Sequence, residues 1–200
     1  QANLTGFTSY LLFKQAKDDH VKVILTGDGS DEIFGGYIRY RNSLLLEKYK
    51  ILRHFPKYAD FYSSNKNIKY ARATGLFKPN LLNKICTPEL KFRNYFDNSF
   101  FKNDYEIANL INHYDLKLWI SEESNMRVDR ASMLNSVEAR VPFQDVRIVE
   151  NFFKYPLDKK FGNINNKFED SYSKKQLRQY ASNILPDEIL KRRKMGWDAP

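Results

Sequence analysis

The segment "LTGDGSDEIFGGY" brings together two kinds of residue with different chemical uses, glycines and carboxylates. Gly27 and Gly29 permit positive φ angles and let the backbone approach a ligand closely. Asp28, Asp31 and Glu32 stand between and after them, where a phosphate-binding loop would hold its anion. These acids would repel a bare phosphate. A phosphate ligand would therefore need a cation beside it.

Known glycine-rich loops do not account for this segment. The dinucleotide-binding pattern needs a third glycine where Glu32 stands, no Gly-Lys-Ser/Thr follows, and calcium-loop spacing is absent. One interpretation is a magnesium-nucleotide site, because Mg²⁺ often joins one or two carboxylates to phosphate oxygens. The other is that the acids only interact favourably with the positive N-terminus of the next helix. The spacing does not decide between them.

The elements around the loop predict an α/β arrangement. A helical pattern, "SYLLFKQAKDD", leads into "VKVILT", then into the glycine turn and a second helix beginning near Asp31. Adjoining apolar residues at Val23, Ile24 and Leu25 predict a strand buried on both faces, as in a parallel sheet. Ligands of open α/β sheets bind beyond the carboxyl ends of strands, which is where the loop would lie.

Most of the remaining chain has helical patterns. One runs through "YIRYRNSLLLEKYKILRHF" and ends before Pro56, whereas residues 57–103 are irregular and carry no functional signal. Another covers residues 105–137, and "VPFQD" breaks it at Pro142. The predicted buried stripe of that helix comprises Leu116, Trp119, Ile120, Met133, Leu134 and Val137.

The C-terminal part predicts two shorter helices. Ser173 and Gln176 have the spacing of a capping box. Pro186 suits the first position of the second helix, and the basic run that ends at Lys194 stands at its negative end. Lys194 is therefore explained locally as a cation that complements the helix C-terminus.

Composition limits the class of protein. The chain has 200 residues, 42% hydrophobic and 15% aromatic, which is typical of a folded domain. The net charge of +9 is spread without long like-charge runs, so we interpret it as a solvated basic surface and expect no nucleic-acid partner. No run reaches membrane-span length, and we expect no membrane association. The single cysteine, Cys86, fits a packed thiol in a reducing, cytoplasmic setting.

Three blocks, in order, resemble the synthetase domain of glutamine-hydrolysing asparagine synthetases. They are "VKVILTGDGSDEIFGGY", "DRASMLNSVEARVPFQD" and "LPDEILKRRKMGW". The domain is similar to the wider ATP pyrophosphatase family and to β-lactam synthetases. The resemblance implies a partial, doubly wound parallel-sheet α/β core with a largely helical C-terminal part. Residues 1–200 would then be part of one such domain.

The resemblance also implies a reaction. ATP with magnesium would activate the side-chain carboxylate of aspartate as an acyl-adenylate, and ammonia released from glutamine would attack it. The products would be asparagine, AMP and pyrophosphate. The glutaminase domain that supplies ammonia is expected upstream in the full-length chain. Alternatives are a lactam-forming or a sugar- or peptide-amidating relative, or a non-catalytic binding module that keeps the fold.

Site residues carry over from the family by position. Asp31 matches the aspartate that helps hold magnesium on the ATP phosphates, and Asp28 matches a position where the acyl-adenylate and the nitrogen nucleophile meet. Gly27 matches a backbone contact to the amino-acid substrate. Lys194 matches a lysine that stabilises charge on the reacting phosphate and pyrophosphate. The remaining ATP- or substrate-binding candidates in the loop are Thr26, Gly29 and Ser30.

Four further charged residues have two interpretations. Glu32 is expected to be structural, because its neighbours already supply the carboxylates. Asp129, Arg130 and Arg140 would either form buried ion pairs that hold helices around the pocket or contact ATP or substrate directly. The structural role is the favoured one.

Two features of the family are absent from these residues. The Ser-Gly-Gly-x-Asp-Ser pyrophosphate loop does not occur, since "FGGY" lacks both the preceding serine and the following Asp-Ser. The cysteine nucleophile of a glutaminase is not present either, because Cys86 is internal. Either both features lie in an N-terminal portion of a longer protein, which is the favoured interpretation, or the chain belongs to a degenerate relative.

Overall fold

The fold was obtained as a computed structural model, which describes residues 4–62, 107–161 and 173–192. The chain divides into two compact units, which are described separately. The first comprises residues 1–36 and 115–200, and the second comprises residues 37–114.

Helices make up most of the described residues. In chain order they are α1 (Leu4–Asp18), α2 (Ser30–Phe34), α3 (Ile38–Lys48), α4 (Ile107–Tyr114), a π-helix (Asp115–Asn125), α5 (Met126–Met133), α6 (Val146–Phe153), α7 (Leu157–Lys160), α8 (Lys175–Ala181) and α9 (Asp187–Leu190). Short 3-10 segments cover Lys50–His54, Pro56–Tyr62 and Pro142–Gln144. None of the helices in the described ranges combines the length and hydropathy that crossing a bilayer requires.

The first unit contains a parallel pair of strands, β1 (Val23–Leu25) and β2 (Glu138–Arg140). The prediction of a parallel strand after α1 is confirmed, and the fold is α/β in class, with mostly helices and a small sheet. The prediction that this strand is buried on both faces is wrong. Val23 is 43% exposed and Leu25 is 69% exposed. Side chains alternate between faces, and here one face is covered by helices while the other is open.

The covered face belongs to a hydrophobic core between α1 and α5. Phe13 and Ala16 lie one turn apart on α1, and Val128 and Ala131 lie one turn apart on α5. Val137 completes this cluster, and the partly buried Ile24 and Ala139 of the two strands pack against it. Burial of one large apolar side chain of this kind contributes about 1.5–3 kcal/mol. The core therefore fixes the sheet against both helices.

The π-helix changes which residues of the second predicted helix are buried. Asp115, Ile120, Ser124 and Val128 are buried, at spacings of five and then four residues. This lengthened repeat is expected from hydrogen bonds that span five residues. A buried stripe predicted from 3.6 residues per turn therefore falls out of phase with the side chains that are buried in the structure. Of the predicted stripe, Ile120 and Val137 are buried and Leu116 is partly buried, but the other members are exposed: Trp119 (40%), Met133 (53%) and Leu134 (73%).

The predicted helix also ends earlier than expected. Its last residue is Met133, and Ser136 takes a left-handed conformation with φ of 56° just before the chain enters β2. Pro142 then begins a 3-10 turn instead of breaking a helix. Strand β2 was missed because "EAR" gives neither an apolar run nor a clear alternation.

The second unit is built on α3 and α4. The helical prediction after Tyr37 is confirmed as far as Lys48, and 3-10 segments follow. The carboxylate of Glu47 accepts a hydrogen bond from the backbone N–H of Ala108 at 2.5 Å and so caps the start of α4. The core residues of this unit are Tyr40, Leu44, Leu46, Ala108, Leu110, Ile111 and Tyr114.

Two C-terminal helices form close to their predicted positions. The capping box at Ser173 is wrong, because α8 begins after Lys174, which is left-handed with φ of 51°, and no side chain caps it. Gln176 instead donates to the backbone carbonyl of Lys159 at 2.6 Å. Helix α9 follows Pro186, which lies at the cap instead of the first helical position.

Candidate active site

The glycine–carboxylate loop lies at the carboxyl end of β1. Its first residue, Thr26, donates its backbone N–H to the carbonyl of Arg140 at 2.8 Å, which extends the strand pairing by one step. The chain then turns, and the N–H of Ser30 donates to the carbonyl of Gly27 at 3.2 Å. Helix α2 begins at Ser30, one residue before the predicted start.

The two loop glycines have different roles. Gly29 has φ of 91°, whereas Gly27 is not left-handed, so the prediction of positive φ is confirmed only for Gly29. A Cβ on Gly29 would also lie 2.7 Å from Cγ of Gln144, whereas a Cβ on Gly27 would meet nothing within 4 Å. Gln144 cannot easily move away, because its side-chain amide exchanges two hydrogen bonds with that of Asn125, at 2.8 and 2.9 Å.

Helix α2 is fixed by its apolar residues. Phe34 packs its ring against Phe143 and Phe152, with centroid distances of 5.8 and 4.5 Å. Ile33 and Phe34 are buried, and so is the carboxylate-bearing Glu32. The short helix therefore holds the loop in place from its C-terminal side.

Asp28 is held by side chains from the π-helix and α5. Its Oδ1 accepts a hydrogen bond from the hydroxyl of Ser124 at 2.8 Å and lies 3.6 Å from Nη2 of Arg127. Among the described residues, its Oδ2 has no hydrogen-bond partner. One oxygen of the carboxylate is thus anchored, and the other is available to a ligand.

Asp31 is paired with a cation from the C-terminal part of the chain. Its Oδ1 lies 3.1 Å from Nζ of Lys174, and the same ammonium donates to the hydroxyl of Ser30 at 3.0 Å. Gly36 must be a glycine here, because a Cβ at that position would collide with the carboxylate of Asp31 and with the side chain of Lys174. The carboxylate and hydroxyl therefore both contact the ammonium of Lys174.

This arrangement fits part of a magnesium site. Asp31 and Ser30 present hard oxygen atoms, which Mg²⁺ prefers, and the ammonium of Lys174 already lies beside them. In the described parts of the chain, no group of three or more His, Cys, Asp or Glu side chains is arranged to hold a metal. Phosphate oxygens and water would have to complete the coordination.

One loop hydroxyl is buried without a partner. Oγ1 of Thr26 is enclosed, and no group in the described residues hydrogen-bonds to it. An unsatisfied buried hydroxyl costs about 1–3 kcal/mol. A ligand in the loop that contacted this hydroxyl would recover part of that free energy.

The three charged candidates of the second block are all exposed. The expectation that Asp129, Arg130 and Arg140 form buried ion pairs is wrong. The side chain of Arg140 is 62% exposed and pairs with the exposed Glu138 at 2.8 Å. The backbone carbonyl of Arg140 contacts the loop by accepting the N–H of Thr26. Arg130 lines an open surface cleft of about 470 Å³ between α1 and α5.

Lys194 lies outside the described residues. One described cation of the same basic run is Lys191, whose Nζ pairs with Asp187 of the preceding turn at 2.6 Å. Both side chains of that pair are about three-quarters exposed. Lys191 is therefore a surface cation at the end of α9.

Sequence reasoning missed three side chains that contact the loop: Ser124, Arg127 and Lys174. Ser124 and Arg127 reach Asp28 because the π-helix shifts their phase, which a 3.6-residue pattern does not reveal. Lys174 stands in a basic, polar stretch with no local signal, and only the fold brings it to Asp31.

The family of the chain follows from comparison with known sequences. A model of the asparagine synthase family matches residues 2–200. The chain therefore belongs to the asparagine synthase family, as the three sequence blocks indicated. No solved structure matches it.

Curated relatives support the same assignment. An asparagine synthetase (glutamine-hydrolyzing) 1 of Bacillus subtilis is 29% identical over 216 residues, which cover 96% of this chain and 32% of the relative. A putative asparagine synthetase (glutamine-hydrolyzing) of Mycobacterium tuberculosis is 28% identical, with 90% and 30% covered. The asparagine synthetase (glutamine-hydrolyzing) 3 of Bacillus subtilis is 30% identical, with 90% and 27% covered. The chain thus spans about a third of the length of these relatives.

Proposed function

We propose that this chain is part of an ATP-dependent synthetase that forms asparagine from aspartate, with nitrogen supplied from glutamine by a glutaminase domain elsewhere in the full-length protein. The observation that carries the proposal is the loop at the carboxyl end of β1. There, in a member of the asparagine synthase family, two carboxylates each lie beside a cation, Asp28 beside Arg127 and Asp31 beside Lys174. Such a loop suits a reaction in which ATP brings a magnesium-bound phosphate and ammonia brings the reacting nitrogen.

The proposed chemistry has two steps. The side-chain carboxylate of aspartate attacks the α-phosphorus of ATP, pyrophosphate leaves, and an acyl-adenylate forms. Ammonia then attacks the acyl carbon, AMP leaves with the electrons of the C–O bond, and a proton passes from nitrogen to Asp28. Oδ2 of Asp28, which has no hydrogen-bond partner in the described ranges, supports this role, because a proton acceptor needs an oxygen that no other donor occupies.

Asp31 is the proposed magnesium ligand. A bound magnesium ion would neutralise charge on the ATP phosphates. Asp31 would supply one carboxylate oxygen for it, and Thr26, Gly27, Gly29 and Ser30 would form the surface that binds ATP and the amino acid. Asp129, Arg130 and Arg140 remain candidates for substrate contact only, since their exposure removes the alternative of buried ion pairs.

Lys194 is proposed to stabilise negative charge on the phosphates during adenylation. As a catalytic cation, its loss should reduce the rate by about 10²–10³-fold, the scale for removing one stabilising donor. As a helix-end cation it would contribute only ~0.3–1 kcal/mol to stability. Lys194→Ala in the full-length enzyme should therefore nearly abolish adenylation without lowering the melting temperature. Lys191→Ala is the control, and equal rates in the two variants would contradict the catalytic role.

The small sheet is proposed to be part of a doubly wound ATP pyrophosphatase-like core. Parallel pairing of β1 and β2, with helices on one face, supports this proposal. An experimental structure of the full-length protein would test it. Strands β1 and β2 should be neighbours within a larger parallel sheet, and an isolated two-stranded sheet would contradict the proposal.

Pyrophosphate release by the full-length protein tests the proposed function. The protein is given magnesium-ATP, ammonia and a panel of carboxylic acids that includes aspartate, glutamate, β-amino acids and peptides. We expect release with aspartate, together with stoichiometric AMP and asparagine. Release with a different acid would indicate a lactam-forming or amidating relative, and no release with any acid would contradict an enzymatic function.

A further inference from the structure

We infer that Arg127, together with Ser124, is a positioning residue that aims the open oxygen of Asp28 at the reacting nitrogen. The inference rests on the function proposed above and adds residues to which the three sequence blocks gave no role. It starts from the guanidinium of Arg127, which contacts four side chains from three segments of the first unit: α1, the loop and the π-helix.

Both neighbours of Asp28 act on the same oxygen. The hydroxyl of Ser124 donates to Oδ1 at 2.8 Å, and Nη2 of Arg127 lies 3.6 Å from that same atom. The first distance is that of a good hydrogen bond, whereas the second is too long for one and is an electrostatic contact. Two attractive groups on one carboxylate oxygen oppose rotation of the carboxylate. The direction in which Oδ2 points is thereby set.

The guanidinium of Arg127 is itself held in place by hydrogen bonds to three other side chains. Nη1 donates to the hydroxyl of Ser9 on α1 at 2.9 Å, and Nε donates to Glu123 at 3.3 Å. Nη2 also donates to Ser124 at 3.3 Å, so the same hydroxyl links both residues. A guanidinium can meet several partners at once because its donors form a rigid planar fork, which the single ammonium of lysine does not offer.

The contact between Arg127 and Asp28 is better suited to orienting the carboxylate than to stabilising the fold. The side chains of Arg127 and Asp28 are about one-fifth exposed, so their pair is partly screened by water. A pair built only for stability would gain more from a direct, bidentate contact with both oxygens of Asp28. Here Arg127 directs its shorter bonds to neighbouring scaffold residues and leaves Oδ2 open.

The test separates the two half-reactions of the full-length enzyme. Aspartate-dependent exchange between ATP and pyrophosphate reports adenylation, and asparagine formation from ammonia reports attack by nitrogen. Arg127→Met should reduce asparagine formation by about 10²-fold, the loss expected from an ångström-scale misplacement of a reacting group, while exchange continues. Arg127→Lys should recover only part of the lost rate, because it restores charge without the planar fork.

A second variant covers the case in which Arg127→Met fails to fold. Ser124→Ala removes the direct hydrogen bond to Asp28 with little change in volume, and it should reduce asparagine formation in the same selective way. Arg147→Met is the matched control, because Arg147 also pairs with an aspartate, Asp145, but at an exposed site with 84% of its side chain accessible. This control should leave both half-reactions unchanged.

The outcomes distinguish failure of the positioning role from failure of the proposed function. Normal asparagine formation in folded Ser124→Ala and Arg127→Met, or equal loss of both half-reactions, would overturn the positioning role. Wild-type and Asp28→Asn proteins are measured alongside. A wild type that forms no asparagine, or an Asp28→Asn protein with full rate, would instead contradict the proposed function. Selective loss of nitrogen attack, with partial recovery in Arg127→Lys, supports the inference.

Discussion

At the scale of residues, two carboxylates of the loop each lie beside a cation that is distant in sequence. Asp28 lies beside Arg127, and Asp31 lies beside Lys174. The carboxylates themselves could be predicted from the sequence, because acids in a glycine-rich turn after a strand are chemically conspicuous. The cations could not, since no spacing rule links positions about a hundred or more residues apart.

The role of Asp31 can be tested by removing its charge alone. Asp31→Asn in the full-length enzyme keeps the shape of the side chain and a neutral oxygen. We expect a higher magnesium concentration for half-maximal activity and a lower maximal rate, because one anionic ligand is lost. A magnesium titration of pyrophosphate release measures both. Asp187→Asn, which also breaks an aspartate–lysine pair, is the control. An unchanged titration in Asp31→Asn would show that Asp31 only neutralises the helix N-terminus.

A second residue-scale prediction concerns Lys160, which is 1% exposed. Burial lowers the pKa of its ammonium from the ordinary 10.5 to about 8. Between these values the unfolded chain binds more protons than the folded chain, so the free energy of unfolding should rise with pH from about 8 to about 10.5. Below that window the full penalty of burying the charge remains.

Lys160→Met should remove this penalty. Its free energy of unfolding near neutral pH should be higher than that of the wild type by on the order of 3 kcal/mol, from a shift of this size. The difference between the two proteins should shrink as the pH rises through the window. Denaturant unfolding at several pH values measures it. A difference that is independent of pH would show that Lys160 is not the titrating group.

At the scale of elements, the parallel pairing of β1 was predictable and that of β2 was not. An apolar run after a helix indicates a parallel strand, whereas "EAR" in β2 carries two exposed charged residues and only one inward-facing side chain. The pattern of burial in the second helical region was also not predictable, because that region contains a π-helix. Its longer repeat places Ser124 and Val128 inward, and a standard helical period cannot anticipate that change of phase.

The loop turn yields an element-scale prediction, because its two glycines should respond differently to substitution. Gly29→Ala should destabilise the chain by about 1–2 kcal/mol, since an L-residue is strained in the left-handed region, and the new Cβ would also press on Gln144. Gly27→Ala should not destabilise it, because its Cβ enters open space at a permitted φ. Denaturant unfolding compares the two. Equal stability of both variants would contradict the described turn geometry.

At the scale of the whole molecule, the family assignment and the fold support different parts of the account. The asparagine synthase match covers residues 2–200 and was anticipated by three sequence blocks. The fold adds what those blocks did not contain: which groups hold the two loop carboxylates and which carboxylate oxygen is left open. The central claim that joins family and fold is that an acyl-adenylate forms first and ammonia attacks it second.

Isotope transfer in the full-length enzyme tests that claim most directly. Aspartate labelled with ¹⁸O in its side-chain carboxylate is converted to asparagine with magnesium-ATP and ammonia, and the nucleotide product is analysed by mass spectrometry. If an acyl-adenylate forms, one labelled oxygen stays on the phosphorus when AMP leaves, so AMP should carry ¹⁸O and inorganic phosphate should not. Label in inorganic phosphate with ADP as the product, or unlabelled AMP, would contradict the account.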